Sequence, residues 1–401
     1  MRDLKHLIYF EKLIQNCDNV LIDQARSDGQ ICIGNLCYQM PEVLLNLPGC
    51  FSVRLRAPNT SSMEMGTYYM TSFDCEYCRA LLERSLEGGF GFLDCIIEPY
   101  ACSQMATCAE NIEVLCADDR PPHFFVQHMD TPMKADENAV KYLSHMCRVR
   151  ALDRLHGAFG IDTSDAALRE AVERHNRLCR VITAIGEYRK LPNPPITGYE
   201  FAVVCLVSYS CPHDLVLEKL EETLKELQTR RPDPKPTWRV RVVLAGSAID
   251  DPHFIKTIED AGALVVADRY CTGSFPGRTE IRLDGEGDLL TQICRHYVMQ
   301  CQCPRYMDTA RVNQRKNYLA LLARDYNADG IVIQQMSFCN FWAYERVDAI
   351  NQLQINGEWP ILSVDRPYVV GQSGQMRTRI QAFVESIEIK KLQKGITNEN
   401  K

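Results

Sequence analysis

Residues 240–267 read VRVVLAGSAIDDPHFIKTIEDAGALVVA. Val240 to Leu244 is a short β-branched run. Pro252 to Ala261 carries apolar residues at helical spacing behind a proline start, and Leu264 to Ala267 is a second apolar run. Strand, helix and strand in that order predict a βαβ unit, hence a parallel sheet covered by helices on both faces. The same alternation continues outward. Asn317 to Tyr326 reads as a helix and Gly330 to Gln334 as a buried strand. Toward the N-terminus, Gln30 to Gly34, Phe51 to Leu55 and Phe92 to Ile97 read as strands. Pro41 to Leu47 reads as a helix start, and Arg79 to Leu86 as a helix closed by Gly88-Gly89.

Between the two halves the pattern changes. From Val140 and Leu143 to Val181 and Ile185, apolar residues recur at three- and four-residue steps, with one break near Gly157 to Gly160. Leu191-Pro192-Asn193-Pro194-Pro195-Ile196-Thr197-Gly198 is a linker. Phe201 to Val207 is an apolar run that reads as a strand ending toward Cys211, and Leu215 to Leu227 is helical. The expected architecture is α/β: two doubly wound parallel-sheet domains of the Rossmann or flavodoxin kind, 1–135 and 197–401. The helical segment 136–196 joins them, and the site is expected in the cleft between them.

Composition narrows the function. The 401 residues carry 45 basic and 52 acidic side chains, a net charge of −7, which is the wrong sign for a nucleic-acid partner. No apolar run reaches the length of a membrane span, and the first residues, Met1-Arg2-Asp3-Leu4-Lys5-His6, carry no export signal. A cytoplasmic protein with reduced thiols is expected. The nineteen cysteines then become the unusual feature. They are too sparse for a small disulfide scaffold and too many for indifferent packing.

Three of them stand where ligands bind in open parallel sheets, just past a strand and ahead of a helix. Cys75 follows Tyr68 to Asp74, Cys108 precedes Ala109 to Leu115, and Cys339 precedes Phe341 to Val347. The positive end of a helix stabilises a thiolate. Three thiolates suit a 4Fe-4S cube with one iron left without a cysteine. Three small buried residues capping strands is the plainer reading of the same pattern.

In Cys75-Glu76-Tyr77-Cys78-Arg79, Ala106-Thr107-Cys108-Ala109-Glu110-Asn111 and Ser337-Phe338-Cys339-Asn340 the chain resembles the subunits of 2-hydroxyacyl-CoA dehydratases, of the 2-hydroxyglutaryl-CoA dehydratase D-component kind, and the related benzoyl-CoA reductase subunits. Ala245-Gly246-Ser247, Ala267 to Ser274, Cys303-Pro304-Arg305 and Gly374 to Phe383 add to the ordered series. The resemblance implies an oxygen-sensitive lyase subunit that holds a 4Fe-4S cluster through Cys75, Cys108 and Cys339. It also implies a homologous second subunit, as heterodimer or homodimer, and a separate ATP-hydrolysing iron–sulfur activator that injects one electron. The substrate would be an (R)-2-hydroxyacyl-CoA thioester, losing water through a ketyl radical. No phosphate-loop motif occurs in this chain, in keeping with a separate activator.

The chain also departs from the family. Tyr38 stands where a serine follows the first cysteine, Val43 where a second glutamate follows the proline, and Leu47-Pro48-Gly49 where Ala-Ala-Gly is usual. These positions lie on the substrate side, which admits a benzoyl-CoA-reductase-like subunit or one that only transfers electrons. Cys37, Cys78, Cys211, Cys271, Cys301 and Cys303 are possible extra ligands. With them the chain would match the branch of the family that carries a double-cubane 8Fe-9S cluster and reduces small molecules at the expense of ATP. On spacing alone, Cys75, Cys78, Cys301 and Cys303 would also make a zinc quartet. Glu42 is a candidate base or helix-dipole partner, and His213 a helix-start residue.

Overall fold

The computed structural model describes residues 3–116, 121–274, 279–356, 358–369 and 373–399. Strands β1 (Ile31–Asn35), β2 (Cys50–Arg54), β3 (Cys95–Pro99) and β4 (Phe125–Met129) form one parallel sheet in the order β2-β1-β3-β4. Strands β5 (Val240–Gly246), β6 (Ala263–Tyr270), β7 (Gly330–Met336) and β8 (Ile361–Arg366) form a second in the order β6-β5-β7-β8. Both sheets are wound the same way, so each has its switch point between its first and third strands. The two α/β units are as expected.

β2, β3, β5 and β7 are buried along their whole length, which is why their sequences are largely continuous apolar runs rather than alternating ones. Gly246, the last residue of β5, sits at φ +148, and a Cβ there would lie 2.0 Å from the carbonyl oxygen of Gln334. The glycine is required because β7 runs past it at backbone distance.

The segment between the sheets is helical. It comprises helices Glu137–Met146 and Asp153–Phe159 around a π-helical stretch, Cys147–Leu152, and then the long helix Asp165–Glu187. The break near Gly160 is a left-handed C-cap (φ +69), and Ser164 restarts the chain by accepting the Ala167 N–H.

Two expectations need correction. Phe201 to Val207 is not a strand. It lies within the helix Gly198–Ser210, started by a capping box between Thr197 and Glu200 and buried on every side. A helix buried all round has no polar face, so its sequence loses the periodicity that would distinguish it from a buried strand. Pro41 to Leu47 yields only a 3-10 turn, Glu42–Leu45. Among the described residues no helix is long and apolar enough to cross a membrane.

Apolar layers cover both faces of each sheet. One layer crosses from lobe to lobe. It joins Phe51, Tyr77, Cys78, Met105 and Cys108 of the first half to Ala248, Met336 and Tyr368 of the second. A polar contact reinforces it: Tyr368 donates to Asp250 (2.6 Å), and Asp250 also accepts the Ala57 N–H (3.1 Å).

Candidate functional site

Where this shared layer meets the carboxyl ends of the strands, a cavity of about 110 Å³ opens between the lobes. Seven cysteines line it. Cys37 lies just past β1, and Cys75 and Cys78 start the helix Glu76–Leu86. Cys102 lies past β3, Cys271 directly follows β6, Cys303 lies beyond the helix Leu289–Met299, and Cys339 lies past β7. The remaining wall is mostly apolar or aromatic, including Leu36, Tyr77, Met105, Met336 and Trp342, and contains no histidine or carboxylate.

The structure treats the expected ligands unequally. Cys75 and Cys339 are brought together in the cavity wall, with Cys78 beside them. Interaction with the Cys339 and Cys78 thiols holds Cys75 well below the usual thiol value despite its burial, and it pushes those two up. Cys75 is the N-cap of its helix, as the sequence suggested.

Cys108 is placed differently. The helix begins at Ser103 with Cys102 as its N-cap, the Cys102 sulfur accepting the Met105 N–H at 3.4 Å. Cys108 is therefore in the helix interior, fully buried one layer behind the cavity wall. The thiol that this helix presents to the cavity is Cys102. A strand followed closely by Tyr100-Ala101-Cys102-Ser103 was the available signal.

A second thiolate centre lies across the cavity. The Cys301 thiol donates to Cys303 and holds it down to about 6 against the opposing effect of burial. Burial lifts Cys37 to about 11 and raises Cys271 further, and the Cys303 charge pushes both in the same direction. In their mutual electrostatic influence the thiols form two sets, Cys75 with Cys78 and Cys339, and Cys303 with Cys37 and Cys271. Cys102, lifted to about 12 by burial, feels charge from both.

Cys211 lies outside the cavity. It is the C-cap of the buried helix, where its sulfur accepts from Asn19 at 3.6 Å. Cys301 supports the site from behind the wall, accepting from Gln39 Nε2 at 3.3 Å and from the Cys303 N–H at 3.4 Å. Among the described residues no three Cys, His, Asp or Glu side chains converge on a point where one metal ion would sit. The zinc quartet is not assembled, and the thiols ring a space instead.

Bonds between the lobes fix this arrangement. The Glu76 N–H donates to the Ser337 carbonyl (3.2 Å), Gln104 Nε2 to the Phe338 carbonyl (3.1 Å), and the Tyr368 N–H to Glu76 (2.6 Å). Phe338 takes a left-handed backbone (φ +65), uncommon for a bulky residue, and its strained turn sets the direction of Cys339. On the far side, Arg315 donates to the carbonyls of Cys303 (3.4 Å) and Tyr306 (2.6 Å), while Arg269 donates to that of Gln302 (3.1 Å). Glu345 joins the two arginines at 2.8 and 3.0 Å. Glu42 and His213 pair with each other, 3.4 Å apart and buried, away from the cavity wall.

Seven sulfur donors, with no carboxylate or imidazole beside them among the described residues, fit an iron–sulfur cluster better than any single hard or borderline cation. Residues 37–387 match the family described as 2-hydroxyglutaryl-CoA dehydratase, D-component. The chain is 24% identical to the (R)-2-hydroxyglutaryl-CoA dehydratase, subunit beta, of Acidaminococcus fermentans, over 92% of this chain and 95% of that one. It is 21% identical to the (R)-phenyllactyl-CoA dehydratase beta subunit of Clostridium sporogenes, over 94% and 97%. With a match that takes in seven of the eight strands and all seven cavity cysteines, the chain belongs to the 2-hydroxyglutaryl-CoA dehydratase D-component family.

Proposed function

We propose that this chain is an iron–sulfur subunit of the 2-hydroxyacyl-CoA dehydratase type, working with a homologous second subunit and a separate ATP-hydrolysing activator to remove water from an (R)-2-hydroxyacyl-CoA. The observation that carries the proposal is the seven-thiol cavity between the lobes. When bound there, a cluster would supply a low-potential electron and a Lewis-acidic iron. The chain's own contribution is to hold the ligands and exclude water. Cys75 and Cys303, already biased to the thiolate, are its first ligands, with Cys339 completing the grip from the second lobe. Cys102 replaces Cys108 in this assignment, because its sulfur, and not that of Cys108, faces the cavity. The apolar wall keeps bulk water from a reactive electron carrier.

A second reading has a specific observation in its favour. Seven thiols exceed what one cube takes, which suits a double-cubane cluster. The chain would then be an ATP-dependent reductase of a small molecule. Anaerobic purification with iron and sulfide counts separates the two. About four irons per chain are expected for the dehydratase type, about eight for the double cube. An iron-free chain after anaerobic reconstitution would sink both. Within either reading, C102A is expected to lose iron and C108A to retain it; the reverse would restore Cys108 as the ligand. Turnover of a 2-hydroxyacyl-CoA, with activator and second subunit present, then tests the dehydration itself.

A further inference from the structure

β2 ends in Arg54, whose side chain lines the thiol cavity. The residue is 5% exposed. Its Nε and Nη2 have no hydrogen-bond partner among the described residues, and it rests on the face of Tyr209, 5.5 Å from the ring centre. The other buried arginines each donate to a carboxylate or a backbone carbonyl, as Arg189 does to Asp268 and Arg366 to Ala248. Asn35, in register beside Arg54 at the end of β1, repeats the feature. It is 1% exposed, its Oδ1 accepts the Cys37 N–H at 3.1 Å, and its Nδ2 has no partner. Two neighbouring strand ends therefore carry unsatisfied nitrogens, those of Arg54 in the cavity wall and that of Asn35 beside it.

An unpaired buried cation costs several kcal/mol. A fold that keeps one beside a ring of thiols has an anion to set against it. Geometry puts Arg54 on the Cys37 side of the cavity: Asn35, its register partner on β1, accepts the Cys37 N–H at 3.1 Å.

We propose that Arg54, assisted by Asn35, is a positioning residue that neutralises the anionic iron–sulfur core on the Cys37 side of the cavity and raises its reduction potential. The inference rests on the cluster reading above. Its physical basis is that reduction adds negative charge, so a fixed cation and donors to sulfur favour the reduced form. An electron arriving in the cavity would settle on this side.

The test uses the full chain, reconstituted anaerobically with iron and sulfide, as wild type, Arg54→Met and Arg54→Lys. A spectroscopically monitored redox titration should show a lower midpoint potential in R54M, with most of the loss recovered in R54K. Iron should leave R54M faster when a chelator is added. The iron-free proteins give an opposite and independent sign. There R54M should unfold at higher temperature than wild type, because the orphaned cation is gone.

An R54M chain with a full iron load and an unchanged potential overturns the proposal. So does an iron-free R54M that is less stable than wild type, the result a merely structural arginine would give. A folded R54M that holds no iron, beside an R54K that does, supports it. If wild type itself takes up no iron, the cluster reading fails first and this inference falls with it.

Discussion

In both lobes the chain lays down a central strand, a neighbour on one side, and two strands on the other, and both lobes send thiols into the cavity. The lobes differ in what holds those thiols. Cys75 and Cys102 of the first lobe are helix N-caps, placed by the backbone of a following helix and by apolar packing. Cys303 of the second lobe hangs on the long connection between β6 and β7, and buried ions brace it: Arg315 and Arg269 hold the 302–306 carbonyls, and Glu345 holds both arginines. A thiol at a helix start inherits its position from the backbone, whereas one on a long connection needs a side-chain scaffold.

The sharpest way to break this comparison is to remove the brace. Glu345→Gln leaves two buried arginines without a carboxylate and should cost about 3–5 kcal/mol in denaturant unfolding. A loss below about 1 kcal/mol would show that carbonyl contacts alone fix the Cys303 loop.

The lobes also contrast in their buried carboxylates. Burial raises Glu345, but Arg269 and Arg315 outweigh it and hold the carboxyl below its ordinary value. Its contribution is present above the unfolded value and is lost as pH falls. Glu98, on β3 in the first lobe, has only His128 at 3.2 Å, and burial lifts its carboxyl to about 7. The sign is reversed: its contribution is complete below about 4.5 and is lost as pH rises toward 7. Glu98→Gln should therefore flatten the fall in stability between those values. It should leave the variant more stable than wild type at pH 8 by up to about 3 kcal/mol. Parallel stability–pH curves for the two proteins would show that Glu98 is not the group responsible.

Six of the eight strands were legible because they are buried on both faces and read as apolar runs. β4 and β8 were not, because they are edge strands with mixed exposure, and Gln127, His128, Ser363 and Asp365 break their patterns. The helix Gly198–Ser210 was misread for the opposite reason, being apolar on every face. The place of Cys75 and Cys339 in the cavity wall was legible from the local order of strand, cysteine and helix. The assignment of Cys108 over Cys102 turned on where one helix begins, and a cysteine N-cap is a weaker start signal than Ser, Thr, Asp or Asn. The meeting of Cys37 with Cys303, and the orphaned state of Arg54, depend on packing between distant segments, which no local pattern records.

The smallest expected effect tests the first lobe's way of holding the site. Gln104, two residues into the helix capped by Cys102, reaches across the cleft and donates to the Phe338 carbonyl at 3.1 Å. It is the side-chain counterpart, on this face, of the ion scaffold around Cys303. Because Phe338 is 41% exposed, water can replace the lost donor. Gln104→Ala should therefore cost only about 1 kcal/mol. Its effect should be local. The left-handed turn at Phe338 loses a restraint, so hydrogen exchange should quicken at the Cys339 N–H, which donates to Met336 at 2.9 Å, and at Ala343, which donates to Cys339 at 3.0 Å. Exchange around Cys303 should not change. Equal loosening on both sides of the cavity would mean that the two lobes brace one common unit, and the distinction between backbone-placed and ion-braced thiols would fail.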